Sequence, residues 1–75
     1  MSGNFPVGSR VKLHTKFQGM YYGKLGTVIE NPAKVSWSND FSWIRVKFDD
    51  PVVLGEKEIK DDIFHVDNLI HVEEI

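Results

Sequence analysis

The sequence contains no cysteine and no long run of apolar residues. The lack of cysteine excludes both a disulfide framework and a zinc site built on thiolates. No stretch approaches the ~20 apolar residues that a helix needs to cross a membrane, and the amino terminus lacks the basic and apolar regions of a signal peptide. We therefore predict a soluble, cytoplasmic protein that has no membrane partner and is stabilised by its own core.

The chain is also short, with 75 residues of which 41% are hydrophobic. A chain of this size buries only ~60% of the surface that it exposes when unfolded, which is enough for one core but not for a second one. We predict a single domain over residues 1–75, with residues 1–6 as a flexible amino terminus. A deep, enclosed active site is not expected.

The net charge of −2 conceals an uneven distribution along the chain. Residues 1–48 contain seven Lys or Arg against two acids, whereas residues 49–75 contain two against nine. One interpretation is that these charges only solvate the surface. The other is that the protein has a positive and a negative side, which would orient it toward a partner.

Glycine and proline recur at short intervals, and no segment keeps a helical period. Residues 10–14 and 42–48 alternate apolar and polar side chains, as half-buried strands do. Residues 49–51 predict a turn, and residues 61–65 a short helical turn capped by an acid. The predicted strands cover residues 10–14, 26–30, 42–48, a fourth segment that starts at 52–54 and extends toward 60, and 69–72.

Five short strands with one helical turn before the last predict an all-β fold, a single small five-stranded SH3-like barrel. Alternation assigns one face of each strand to the core. The predicted core contains Val11, Leu13, Val28, Ile44, Val46, Phe48 and Leu69.

The segments Val-Gly-Ser-Arg-Val-Lys-Leu (7–13) and Gly-Lys-Leu-Gly-Thr-Val-Ile (23–29) resemble the opening of KOW-type domains in ribosomal and transcription-associated proteins. Residues 44–49 and 67–69 are similar to the remainder of such barrels. The same outline resembles the small PsaE-like barrels of photosystem I. The resemblance covers residues 7–72 and implies the barrel fold, and its KOW side implies RNA or DNA binding.

Catalysis finds little support among the residue types present. His14, His65 and His71 are accompanied by no cysteine and by no serine within a recognisable motif. The adjacent acids at 49–50 and 61–62 point to opposite sides of an extended segment, which suits turns better than acid–base pairing. We predict no enzymatic activity, no catalytic residue and no cofactor.

A metal site is weakly indicated. Asp61 or Asp62 could converge with His65 and His71, but no further ligand pair completes a tetrahedral zinc set. We predict no metal, and a small metal-binding protein is the least favoured alternative.

Aromatic and basic residues form the strongest functional signal. If Ile44, Val46 and Phe48 face the core, the residues between them share the outer face of the same strand. Trp43 would then be either an anchor for a partner or a cover for the end of the barrel. The predicted binding residues are Trp43, Arg45, Lys47, Phe41, Arg10 and Lys12 on the strands, and Phe17, Tyr21, Tyr22 and Trp37 in the loops.

These features predict a non-enzymatic binding module, with a protein as the preferred partner. A phage-encoded or accessory regulator that blocks a host factor would have this size. The alternative is a KOW-like module that binds nucleic acid, with bases stacking on Trp43 or Tyr22. Its phosphate contacts would come from Arg10, Lys12, Lys16, Lys24, Arg45 and Lys47.

Overall fold

A computed structural model of the chain describes residues 5–14, 19–37 and 42–72. In these ranges the secondary structure consists of strands and two single turns of 3₁₀ helix, at Gly19–Tyr21 and Val66–Asn68. The strands are β1 (Arg10–Leu13), β2 (Leu25–Glu30), β3 (Trp43–Leu54), β4 (Lys57–His65) and β5 (Leu69–His71).

The five strands form one antiparallel sheet in the order β4-β3-β2-β1-β5. The chain passes through β1 to β4 in sequence, makes the second 3₁₀ turn, and returns so that β5 pairs with β1. This arrangement is that of a five-stranded SH3-like barrel with one short helical turn before the last strand, and it confirms the predicted fold class. Within the described ranges, no helix has the length and apolar character that a membrane crossing requires.

The core lies between the inward faces of the strands. All seven predicted core residues are buried, and the most exposed of them, Leu69, is 7% exposed. Registered pairs explain this, since Val28 lies opposite Val46 and Gly26 opposite Phe48, all on the inward face. Further buried side chains were not predicted; they are Phe5, Tyr21, Ala33, Val52 and Phe64.

Phe5 belongs to the segment predicted to be a flexible terminus, but only 2% of it is exposed. Its ring stacks on His71 with centroids 4.2 Å apart and an interplanar angle of 13°. Its carbonyl oxygen accepts a hydrogen bond from Nδ2 of Asn31 at 2.5 Å. The prediction is therefore wrong for this residue, because a large apolar side chain near the terminus finds a site in the core.

The predicted turn at residues 49–51 is a bulge within β3. Lys47 lies opposite Asp61 and Val52 opposite Ile59, so the four residues 48–51 face Lys60 alone. The chain reverses instead at Gly55-Glu56, between the paired residues Leu54 and Lys57. Gly55 has a φ of +61°, which matches a two-residue hairpin turn with glycine in its first position.

The predicted helical turn at residues 61–65 is also misplaced. Those residues belong to β4, where Asp62 and Phe64 lie opposite the buried residues Val46 and Ile44 of β3. The 3₁₀ turn follows at Val66–Asn68. Its cap is His65 rather than an acid, and Nδ1 of His65 accepts the backbone N–H of Asp67 at 3.2 Å.

Candidate functional site

The outward face of the sheet carries most of the residues predicted to bind a partner. On β3, the buried residues Ile44, Val46 and Phe48 alternate with outward-facing ones. Thr27 of β2 lies opposite both Arg10 of β1 and Lys47 of β3, so the outward rows of the three strands are continuous. The residues placed on this face as predicted are Trp43, Arg45, Lys47, Arg10 and Lys12.

Arg10 does not offer a free charge on that face. Its guanidinium donates to both carboxylate oxygens of Asp49, at 2.7 Å and 2.5 Å, and to Oγ1 of Thr27 at 2.8 Å. The hydrogen bond from Arg10 lowers the pKa of the Asp49 carboxyl below its ordinary value. The bulge in β3 directs Asp49 toward β1, so the charge of Arg10 is balanced within the molecule.

Arg45 is held in a similar way. Its Nη1 lies 2.8 Å from Oδ1 of Asp61, and its Nε lies 3.8 Å from Oε1 of Glu30. Both carboxylates belong to the strands that flank β3. The predicted basic surface is thus balanced by carboxylates at both of its arginines.

The lysines of this face differ from the arginines. Lys12 and Lys47 are exposed, and neither makes an ion pair with any described residue. Lys12 lies opposite Leu25 on one side and Ile70 on the other, and these two side chains are 42% and 46% exposed. The free positive charge of the face therefore comes from lysines with apolar neighbours.

Three aromatic rings meet at the end of β3, and we call Trp37, Trp43 and His65 the aromatic cluster. Trp37 and Trp43 have centroids 5.4 Å apart and an interplanar angle of 88°, and Trp43 and His65 have values of 5.3 Å and 87°. The sheet register places Trp43 directly opposite His65. The segment that carries Trp37 is tied to β3 by a hydrogen bond from the N–H of Ala33 to the carbonyl of Trp43, 2.7 Å long.

The aromatic cluster is bordered by an exposed carboxylate. Oδ2 of Asp67 lies 3.4 Å from Nδ1 of His65, and the Asp67 side chain is 86% exposed. Because Nδ1 of His65 accepts the N–H of Asp67, that nitrogen carries no proton in this arrangement. The cluster therefore combines three aromatic rings with a negative charge at its margin.

The loop aromatics fall into two different environments. Tyr22 is 57% exposed, and its ring lies 5.3 Å from that of His14. Tyr21 is only 5% exposed, so the prediction that it lies on an exposed surface is wrong. Its ring stacks on Phe48 with centroids 5.4 Å apart and meets the edge of Phe64 at 5.3 Å. Phe17 and Phe41, also predicted to bind, lie outside the described residues.

The Tyr21 hydroxyl has its own partner inside the fold. It donates to Oδ2 of Asp62 at 2.9 Å, while Oδ1 of Asp62 accepts the N–H of Ile63 at 2.8 Å. Burial and the adjacent carboxylate of Asp62 both raise the pKa of the Tyr21 hydroxyl. Asp62 is thus an acceptor that fastens the first 3₁₀ turn to β4.

Sequence reasoning missed three contributors to the site, Glu30, His65 and Asp67. His65 becomes visible as a site residue only through its register with Trp43, and Asp67 only through the cap of the 3₁₀ turn. Glu30 reaches Arg45 because the register between β2 and β3 shifts after Val28. None of these relations follows from residue spacing.

A small cavity lies between the start of β2 and the bulge of β3, and is lined by Gly23, Lys24, Leu25, Asp49 and Asp50. Among residues 5–14, 19–37 and 42–72, no three His, Asp or Glu side chains gather around a position that one metal ion could occupy. The exposed aromatic cluster therefore remains the best-defined candidate for a binding site.

The fold and this surface define the chain as a small SH3-like barrel with an exposed aromatic face. Comparison with protein families, with curated proteins and with solved structures finds no match for the chain.

Proposed function

We propose that this barrel is a non-enzymatic, regulatory module that binds a protein partner through the aromatic cluster. The observation that carries the proposal is the pair of mutually perpendicular indoles, with Trp37 62% exposed and Trp43 half-buried on a strand. Tryptophan is the side chain most enriched among the residues that dominate protein–protein affinity.

The way in which the cluster is held also supports binding. Trp43 lies on β3, between the hydrogen-bonded neighbours β2 and β4, and contacts His65 across the strand pair. A side chain fixed in this way loses little conformational entropy when a partner covers it. The cluster is therefore suited to act as a preformed anchor point.

The state of the arginines argues against a polyanionic partner. Arg10 and Arg45 would have to leave Asp49 and Asp61 before either could bind a phosphate with its full charge. Exchange of one ionic partner for another yields less free energy than the pairing of a free cation. Protein binding needs no such exchange, because the indoles are already exposed.

The test begins with capture of partners by the immobilised protein from a native lysate, with nuclease added to a parallel sample. Any partner that is retained is identified, purified and titrated against the wild-type chain and the Trp43→Ala variant. We expect retention that survives nuclease treatment, and a loss on the order of 2 kcal/mol, about 30-fold in Kd, for Trp43→Ala.

The matched control is Tyr22→Ala, which removes another exposed aromatic ring outside the cluster. It should leave the affinity unchanged within about twofold, which is within the usual spread for surface residues outside a hot spot. If the captured partner binds Trp43→Ala as tightly as the wild type, or if retention disappears with nuclease, the proposal fails.

A second candidate function is binding of nucleic acid, as the resemblance to KOW-type domains suggests. The observation in its favour is that Lys12 and Lys47 are exposed and make no ion pair with the described residues, near the ring pair His14–Tyr22. Lysines could then contact phosphates while Tyr22 or Trp43 stacks on a base. The dependence of binding on salt separates this candidate from the first.

A further inference from the structure

We infer that the aromatic cluster accepts a cationic side chain, an arginine or a lysine, from the protein partner. This inference rests on the proposed function and specifies the chemistry of the residue that docks. It is carried by two independent properties of the cluster, namely the orientation of its rings and the charges that surround it.

The rings present the kind of surface that attracts a cation. The face of an indole carries negative electrostatic potential, and a cation within about 6 Å of the ring centre is attracted to it. Trp43 meets both Trp37 and His65 at nearly right angles. Because Trp37 is 62% exposed, a ligand can reach an indole ring without displacing the core.

The charges around the cluster leave a local excess of negative charge. The cation on the strand beside Trp43 is Arg45, which faces two carboxylates, those of Asp61 and Glu30. Asp67 adds a third carboxylate, and its contact is with a histidine nitrogen that accepts a hydrogen bond and carries no proton. With His65 neutral, two negative charges in this group therefore remain uncompensated.

This balance favours a cation over the other ligands that aromatic rings attract. A phosphate or a carboxylate would be repelled by Asp67 and Glu30, and a neutral apolar chain would gain nothing from them. An arginine or lysine side chain can place its aliphatic stem on Trp37 and its charged end toward the Asp67 carboxylate. Both parts of such a side chain would then have a partner.

The inference is tested by NMR with a defined probe. The ¹⁵N-labelled full chain is titrated at low salt with a short Gly/Ser peptide that contains two arginines, and with the same peptide in which citrulline replaces both. Citrulline retains the shape of arginine but has no charge. We expect the arginine peptide to shift both indole N–H resonances, and the citrulline peptide to bind about two- to fivefold more weakly, which is the size of an exposed cation–aromatic contact.

Two variants of equal charge change test the carboxylate. Asp67→Asn should weaken binding of the arginine peptide by about two- to fivefold, as expected for an exposed ion pair. Glu56→Gln is the matched control, because Glu56 lies in the turn at the far end of β4, about 30 Å from His65 along the strand. It should leave the affinity for the arginine peptide unchanged.

Several results would overturn the inference. They are equal binding of the arginine and citrulline peptides, equal weakening by Asp67→Asn and Glu56→Gln, or no shift of either indole resonance by the arginine peptide at millimolar concentration. A thymidine oligonucleotide that shifts the indole resonances more strongly than the arginine peptide would also overturn it. If Trp43→Ala abolishes binding of the captured partner while the citrulline peptide binds as well as the arginine peptide, the proposed function stands and only the inference fails.

Discussion

Arg10 and Asp49 lie 39 positions apart in the sequence, yet both carboxylate oxygens of Asp49 accept hydrogen bonds from the Arg10 guanidinium. The pair spans β2, the strand between them, and includes the Thr27 hydroxyl of that strand. It links β1 to the bulge of β3 and removes a free cation from the outward face. The same contact therefore contributes to stability and decides which surface is left for binding.

The first prediction concerns acid stability. Because Arg10 lowers the pKa of Asp49 in the folded state, the pair contributes stability above the unfolded pKa of about 3.9 and loses it as the pH falls through the lower folded value. Asp49→Asn should cost up to about 1 kcal/mol at neutral pH, since the pair is partly exposed, and should flatten the acid side of the stability curve. Urea unfolding between pH 7 and pH 2 measures both effects.

Asp50→Asn is the control for this experiment, because Asp50 is an exposed neighbour in the same bulge. It should leave the free energy of unfolding unchanged within about 0.5 kcal/mol. Equal acid profiles for the wild type and Asp49→Asn would show that the pair contributes nothing to stability.

The second prediction concerns Gly26, which the sequence indicated as a residue of the chain reversal before β2. The structure assigns positive φ to Gly23, at +81°, and not to Gly26. A Cβ on Gly26 would lie 2.5 Å from the carbonyl oxygen of Lys47 and 2.6 Å from Cγ1 of Val46. Gly26→Ala should therefore destabilise the fold by about 1–3 kcal/mol through overpacking, which thermal unfolding detects as a lower Tm.

The matched control is Gly19→Ala, since a Cβ at Gly19 would meet no atom within 4 Å. Its Tm should stay within a few degrees of the wild-type value, because a surface change of this kind alters stability by about 0.5 kcal/mol or less. Equal effects of the two substitutions would contradict the packing argument.

The third prediction concerns alkaline stability. Burial and the Asp62 carboxylate raise the pKa of Tyr21, so its contribution is present below the unfolded value of about 10 and is lost as the pH rises through the higher folded value. Tyr21→Phe should cost about 1 kcal/mol near neutral pH, the usual net value of a hydrogen bond, and reduce the loss of stability above pH 10. Tyr22→Phe, which changes an exposed ring, should retain the wild-type profile. A Tyr21→Phe profile identical to the wild type would refute the role of the hydroxyl.

The fourth prediction tests the register of β3. Val46 is fully buried, so Val46→Asp would bury an unpaired carboxylate and should unfold the domain. Val53→Asp makes the same chemical change on the same strand at a position that is 69% exposed, and should leave the domain folded. Circular dichroism of the two variants at 25 °C distinguishes these outcomes, and a folded Val46→Asp protein would show that the register is wrong.

The fifth prediction separates the two candidate functions by salt. If nucleic acid binds the lysines of the outward face, the logarithm of the affinity for a single strand should fall against the logarithm of salt concentration with a slope of about −0.7 per phosphate contact. Replacement of Lys12 and Lys47 by Gln should then reduce the slope by about 1.4. If the partner is a protein, the oligonucleotide should bind weakly or not at all, and the double variant should change mainly the rate of association with the captured partner.

Much of the fold was accessible from local patterns. The alternation around Val46 predicted which side chains of β3 are buried, because a strand that is buried on one face needs apolar residues at every second position. The same pattern placed Trp43 on the outward face, as the structure has it. The pattern did not reveal that β3 continues through Pro51, because a bulge breaks the alternation where a turn would also break it.

The partners of the site residues were not accessible in this way. Arg45 and Lys47 are equivalent in the alternation, yet Arg45 is ion-paired and Lys47 makes no ion pair with the described residues. Tyr21 and Tyr22 are adjacent in one loop, yet the first packs against Phe48 and the second is exposed. Loop residues follow no period, so their burial depends on where the loop folds back onto the sheet.

The sequence by itself determined the all-β class, the inward faces of the strands and the outward position of Trp43, because these follow from the two-residue period of an extended chain. Only the tertiary structure decided that Arg10 and Arg45 are balanced by carboxylates and that Trp43 meets Trp37 and His65. The physical reason is that such contacts join residues on different strands or on a loop and a strand. They depend on the register and on the bulge of β3, which arise only when the whole sheet is assembled.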